Sequence, residues 1–296
     1  MLNSMKGLET MLLLNGVLRM SEIPDVHKEF PNYRIPLDKV GIQGIETKIA
    51  ICNDKCREYD VTLDIYVDLS SDMRGVHLSR LTSCLKECLD NCKPNSIMNF
   101  LELLAKKILD AYDEINKVEI VLKTKDYIDR MEPFELKYTI HRERLNSIKW
   151  DELNIKLVGL TACPCAQRVY SYFENTPLQN TPTHMQRTIL EIKIRSKEMN
   201  IDPFKLVNSL YECFSSPIKT VLKRIDEYKL VKSALSKPLF AEDVIRKSLA
   251  IIYKHSSMLD ADSMIIAKVY SMDSIHPFNV YSEARYTLND LRKFFK

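Results

Sequence analysis

Cys163, Cys165 and His184 are the residues whose types and spacing point first to chemistry, because Cys163-Pro164-Cys165 is followed by Thr183-His184-Met185-Gln186-Arg187. Thiolate and neutral imidazole both suit zinc or ferrous iron, and a catalytic metal site needs three protein ligands with one position open to water. A third ligand must come from elsewhere in the chain. By type, Glu227 in Lys223-Arg224-Ile225-Asp226-Glu227 and His276 in Ser274-Ile275-His276-Pro277 qualify. Plainer readings stand beside each. Two cysteines around a proline also serve as buried small hydrophobes or as a redox pair. His184, set among polar residues, also reads as a hydrogen-bonded surface histidine. His276, kept extended by the proline that follows it, also reads as a structural strand-end residue.

Taken together, these residues resemble the prokaryotic type IB GTP cyclohydrolases, most closely the archaeal branch that opens GTP for methanopterin synthesis. The resemblance runs through Asp38-Lys39-Val40-Gly41-Ile42, Val67-Asp68-Leu69 and Arg74-Gly75-Val76-His77-Leu78-Ser79-Arg80. It continues through Gly159-Leu160-Thr161-Ala162-Cys163-Pro164-Cys165, Thr183 to Arg187, Leu222 to Glu227, Ala241-Glu242-Asp243 and Ser274-Ile275-His276. It implies that Cys163, His184, Glu227 and His276 surround a metal, with Cys165 beside it as a second catalytic thiol. Which cysteine ligates stays open. Glu242 falls at an active-site carboxylate, and Asp273 at the acid that anchors the guanine edge. Two departures from bacterial members matter: the segment from Cys165 to His184 is longer, and Ile225 replaces a proline. The longer segment and the Thr183 to Arg187 wording fit the archaeal type.

The resemblance also implies a reaction. Water attacks C8 of GTP, formate leaves, and the product is 7,8-dihydroneopterin 2′,3′-cyclic phosphate or, without the second step, 7,8-dihydroneopterin triphosphate. Cys165, Glu242 and His276 are nominated for proton transfer. Fe(II) is the expected cation, with Zn or Mn compatible with mixed sulfur, nitrogen and oxygen donors. Two rival classes are a zinc-stabilised binding protein with a closed site and a thiol redox enzyme using Cys163 and Cys165.

Charge excludes some partners. The 43 basic and 40 acidic residues leave a formal charge of +3, so no global field points to nucleic acid or to an anionic membrane. Six glycines in 296 residues, with neither a Walker pattern nor a dinucleotide fingerprint, leave triphosphate to be held by side chains. Arg74, Arg80, Arg187, Lys223 and Arg224 are the candidates, since cationic side chains, guanidinium forks above all, match phosphate oxygens. The eight cysteines follow no secretory signal and suggest a reducing, cytoplasmic setting. Cys84, Cys88 and Cys92 share one face of an expected helix, and Cys52 and Cys56 bracket a polar turn with no assigned role. Met11-Leu12-Leu13-Leu14 is too short for a membrane span.

The elements that must position the site follow from periodicity. Val61, Leu63, Ile65, Val67 and Leu69 alternate as in a half-buried strand. Leu78, Leu81, Leu85 and Leu89, then Phe100, Leu103, Leu104 and Ile108, recur at helical spacing. Strands are expected at 118–122, 134–140, 153–158, 185–194, 264–269 and 279–286. Asp202-Pro203 opens a helix over 204–214, and another spans 240–253. The expectation is an α+β chain with an extension at 1–19 and two units, 20–150 and 151–296, duplicating a strand-strand-helix-helix-strand-strand order. The resemblance implies the tunnelling fold, in which such units assemble into a homo-oligomer, a tetramer with active sites at subunit contacts.

Overall fold

Five alternating apolar side chains set the first half of the sheet. Val61, Leu63, Ile65, Val67 and Leu69 are all buried on β2 (Cys56–Leu69), which pairs antiparallel with β1 (Leu37–Cys52) and β3 (Lys117–Ile128). The computed structural model of the chain describes residues 25–53, 55–144 and 149–295, so the extension expected at 1–19 lies outside the described residues. Two amphipathic helices, α1 (Leu78–Asn91) and α2 (Ile97–Ala111), bury Leu81, Cys84, Leu85, Phe100, Leu104 and Ile108 against this sheet. A bulge between Ile42 and Ile45 bends β1; Gly44 takes φ +73° there and donates its N–H to Asp64 Oδ1 at 2.9 Å. Only glycine adopts that backbone angle without steric cost. A disulfide joins Cys52 to Cys56 across the turn of this hairpin, giving a link to two cysteines that had no assigned role.

The sheet then continues without a break. β4 (Glu132–Glu143) pairs with β3 and also with β5 (Lys149–Ala162), in register from Glu135 opposite Lys156 to Arg142 opposite Lys149. β6 (Met185–Ser196), β8 (Met264–Ser271) and β9 (Val280–Thr287) follow in order, and the two-residue β7 (Ser216–Pro217) pairs with β5 at Gly159 and Leu160. Every pairing is antiparallel. The same hydrophobic core continues where Leu190, Ile192, Ile265 and Val269 meet Val244, Leu249 and Ile252 of α6 (Ala241–Lys254).

These observations correct the expected two tandem strand-strand-helix-helix-strand-strand units. Among the described residues one nine-stranded antiparallel sheet forms, and its second half does not repeat the order of the first. α3 (Pro164–Glu174) stands between β5 and β6, while α4 (Pro203–Leu210), β7 and α5 (Arg224–Ser236) precede α6. The physical cause is local. Cys163 and Pro164 start a helix where the strand order required a direct return, and the polar run from Arg224 folds as a helix despite lacking an apolar stripe. A final turn, α7 (Leu288–Leu291), is capped by Thr287, whose hydroxyl oxygen accepts the Asp290 N–H at 3.1 Å. Among the described residues no helix is long and apolar enough to cross a membrane.

Candidate functional site

The rim of the site is built by the end of one strand and the start of its neighbour. Ala162, last in β5, lies opposite Met185, first in β6, and just beyond them the Cys163 N–H donates to the His184 carbonyl at 3.1 Å. Cys163 is the N-cap of α3: its sulfur accepts the Ala166 N–H at 3.4 Å, and Pro164 supplies a first helical position that needs no donor. The Thr183 hydroxyl donates to the Cys163 carbonyl at 2.7 Å and closes the corner. Cys163 and His184 are both half-buried. Beneath them, the Thr161, Thr188 and Ser271 hydroxyls form a buried chain with contacts of 2.7 and 3.0 Å. It fixes β5, β6 and β8 relative to one another.

The connection from β8 to β9 brings the second imidazole. One oxygen of Asp273, Oδ1, accepts the Ile275 N–H at 2.9 Å and the His276 N–H at 3.0 Å, and lies 3.1 Å from His276 Nδ1. An aspartate that turns its own backbone in this way is a common turn device. The Ile275 N–H, then the His276 N–H and ring, hold the Asp273 carboxyl below the usual carboxylate range. Ser274 Oγ lies 3.3 Å from His184 Nδ1, and the Met272 N–H donates to the Arg187 carbonyl at 2.9 Å, tying this loop to β6. Both imidazoles therefore have Nδ1 engaged, while neither Nε2 has a hydrogen bond among the described residues. That is the arrangement metal-ligating histidines adopt, with the far nitrogen held by an oriented partner. The thiol of Cys163 adds the soft donor, so the chemistry of these groups fits a divalent transition cation.

The two cysteines part company. Cys165 is exposed in the first turn of α3 and lines a cavity of about 830 Å³ that Leu235, Phe240 and Asp243 also line, whereas Cys163 faces the rim. Glu227, exposed in the first turn of α5, and Glu242, exposed in the first turn of α6, make no hydrogen bond or ion pair with the rim among the described residues. Cys163, His184, Glu227 and His276 do not gather their donor atoms into one group within 4.8 Å in this chain; among the described residues, only Asp25, His27 and His77 do. Arg187 follows His184 on β6, and Lys223 and Arg224 open α5. Arg74, in the loop before α1, pairs with Glu29 at 2.6 Å, and Arg80, in the first turn of α1, lies 5.5 Å from the Tyr112 ring.

Three residues escaped the sequence reading. Ser274 reaches His184 Nδ1 from the loop that carries His276, and Thr183 locks the Cys163 carbonyl. Gln186 donates to Thr161 Oγ1 at 3.1 Å, while its buried Oε1 has no hydrogen-bond partner, an acceptor placed close to the rim. All three stood inside the quoted stretches around His184 and His276, but hydroxyl and amide roles carry no spacing signal.

Comparison with known proteins completes the picture. Residues 23–282 match the family model described as type I GTP cyclohydrolase folE2. The chain is 30% identical over 273 residues to the GTP cyclohydrolase MptA of Korarchaeum cryptofilum, covering 91% of this chain and 94% of that protein. It is 26% identical over 281 residues to the GTP cyclohydrolase MptA of Aeropyrum pernix, covering 90% and 97%. In fold it is similar to uricase from Arthrobacter globiformis, with a TM-score of 0.52, 11% identity, and 84% and 93% of the two chains covered. Urate oxidase from Bacillus sp. TB-90 gives a TM-score of 0.53 at 10% identity, over 85% and 100%.

Proposed function

Because the chain belongs to the type I GTP cyclohydrolase family, and is thus a GTP cyclohydrolase, we propose that Cys163, His184 and His276 hold the cation on which its ring-opening reaction depends. The observation that carries this reading is the bonded run from Cys163 through His184 and Ser274 to the Asp273-braced His276. Glu227 is the carboxylate of the set. Fe(II) is the cation preferred, and the donors accept Zn or Mn as well. Bound there, such a cation supplies a water of lowered pKa, able to attack a purine carbon near neutral pH.

The chain's own residues do the rest. Asp273 holds the His276 ring through Nδ1, leaving Nε2 for ligand or proton. Cys165 and Glu242, both exposed at helix starts, are the further groups for moving protons to the opened ring nitrogens. Arg187, Lys223 and Arg224 present cationic side chains for triphosphate, and the unpartnered Gln186 Oε1 is an acceptor for a purine N–H. Arg74 and Arg80 would join the site from a neighbouring protomer of the proposed assembly.

We infer that the product is 7,8-dihydroneopterin 2′,3′-cyclic phosphate, as in methanopterin synthesis. One water enters, formate leaves with C8, and the 2′-hydroxyl displaces pyrophosphate from the α-phosphorus. The archaeal relatives named GTP cyclohydrolase MptA support this branch. A homotetramer is the proposed assembly. Among the described residues β1 and β9 each pair on one side only, and unpaired strand edges invite a second copy. The test is anaerobic incubation of the protein with GTP and Fe(II), reading formate and product mass. One formate per GTP and the mass of the cyclic phosphate are expected; no formate with Fe(II), Zn(II) or Mn(II) would overturn the reading.

A further inference from the structure

We propose that Asp25, His27 and His77 form a second divalent-cation site, separate from the Cys163 rim and suited to a first-row transition cation such as Zn(II). Their donor atoms lie within 4.8 Å of one another. His77 Nε2 is 3.3 Å from Asp25 Oδ2, and His27 Nδ1 is 3.7 Å from Asp25 Oδ1. The two imidazole rings stand 4.4 Å apart, tilted by 39°. Two imidazoles and one carboxylate are a donor set that zinc and ferrous iron both take, leaving further positions for water.

The position of His77 is fixed by the fold. It caps the start of α1, its carbonyl accepts the Tyr112 hydroxyl at 2.5 Å, and its side chain is only 16% exposed. Its Nε2 is buried without a hydrogen bond, despite the nearby Asp25 oxygen. A buried polar atom left this way costs free energy that a bound ligand removes. His27 is fixed through its backbone: its carbonyl accepts the Arg74 N–H at 3.1 Å and the Gly75 N–H at 3.3 Å. Gly75 also makes room, since a Cβ there would meet His27 Cδ2 at 3.3 Å. The neighbouring cations are engaged elsewhere, Arg74 with Glu29 and Lys28 with Glu114, so among the described residues Asp25 pairs with the two histidines. A cation here would pin residues 25–28 to the start of α1.

This inference does not rest on the catalytic reading, and one titration separates them. Zn(II) binding is measured by calorimetry on the full chain, for the wild type, His27→Ala, Asp25→Asn and Cys163→Ala. The wild type should bind a Zn(II) that Cys163→Ala retains and that His27→Ala and Asp25→Asn each weaken by at least about tenfold, the lower bound for removing even a group outside the coordination shell. His27 and Asp25 are exposed, so both variants should stay folded, which thermal melting checks. The proposal fails if both variants bind Zn(II) as the wild type does, or if Cys163→Ala abolishes all binding.

Discussion

Replacing Gly159 with alanine is expected to lower the melting temperature by an amount that packing around β5 sets. A Cβ at this position would lie 2.1 Å from Phe214 Cγ and 2.4 Å from each adjacent ring carbon. Ordinary carbon contacts need about 3.5–4.0 Å, so the ring must retreat by roughly 1.5 Å. It has nowhere to go. Phe214 is 1% exposed, and the next residue is fixed by the Ser215 N–H donating to the Leu160 carbonyl at 2.9 Å. Overpacking of this kind costs about 1–3 kcal/mol, which at about 2–4 °C per kcal/mol gives a fall of roughly 2–12 °C. Differential scanning calorimetry reads it. Phe214→Leu removes the opposing ring, so the double variant should lose less than the sum of the singles, with a coupling of about 0.5–3 kcal/mol. An unchanged melting temperature for Gly159→Ala, or strict additivity in the double variant, would refute the reasoning.

Other outcomes follow from the same structure. Asp273→Asn should lower formate release and bound cation by roughly 10–100-fold, because it loosens His276 without removing a ligand; metal content and rate measured together check this. His276→Ala, at an exposed position, should cost at least about 100-fold in formate release while leaving the melting temperature nearly unchanged. Burial pushes the Cys213 thiol and the Tyr112 phenol up to about 12, from ordinary values of 9.0 and 10.0. Their folded pKa values lie above the unfolded ones, so the stability they contribute is full below about pH 9 and is lost as pH rises toward 12. Denaturant midpoints should fall across that window, and less steeply in Cys213→Ala. In the native protein a thiol reagent should modify exposed Cys165 first and leave buried Cys84, Cys88 and Cys213 until unfolding, as peptide mapping would show.

Strong periodicity made much of the fold legible. The alternation from Val61 to Leu69 and the stripe on α2 mark buried faces that water excludes, and both faces are buried as expected. Asp202 also behaves as its type dictates, accepting the Phe204 and Lys205 N–H groups at 3.0 and 3.3 Å, though its helix ends at Leu210, short of 214. α3 was missed because its start coincides with residues of chemical interest. A cysteine N-cap is unusual, yet Pro164 at the first position was a readable signal. α5 was missed for a different reason: most of its residues face solvent, so no apolar stripe marks it, and only Asp226 and Glu227 in its first turn hint at a helix start. At the site, the adjacency of Cys163 and His184 depends on β5–β6 register, which spacing alone does not fix. The Asp273 brace is local in sequence, and there the adjacency of the two residues was visible while the role was not.

The central claim is that sulfur and imidazole from β5, β6 and the β8–β9 loop share one cation. Anomalous diffraction from crystals loaded with Zn(II) tests it most directly. The expected result is a peak about 2.3 Å from Cys163 Sγ and about 2.0–2.1 Å from Nε2 of His184 and His276, absent in Cys163→Ala crystals. Loaded crystals with no peak at that rim, in any protomer of the assembly, would contradict the account.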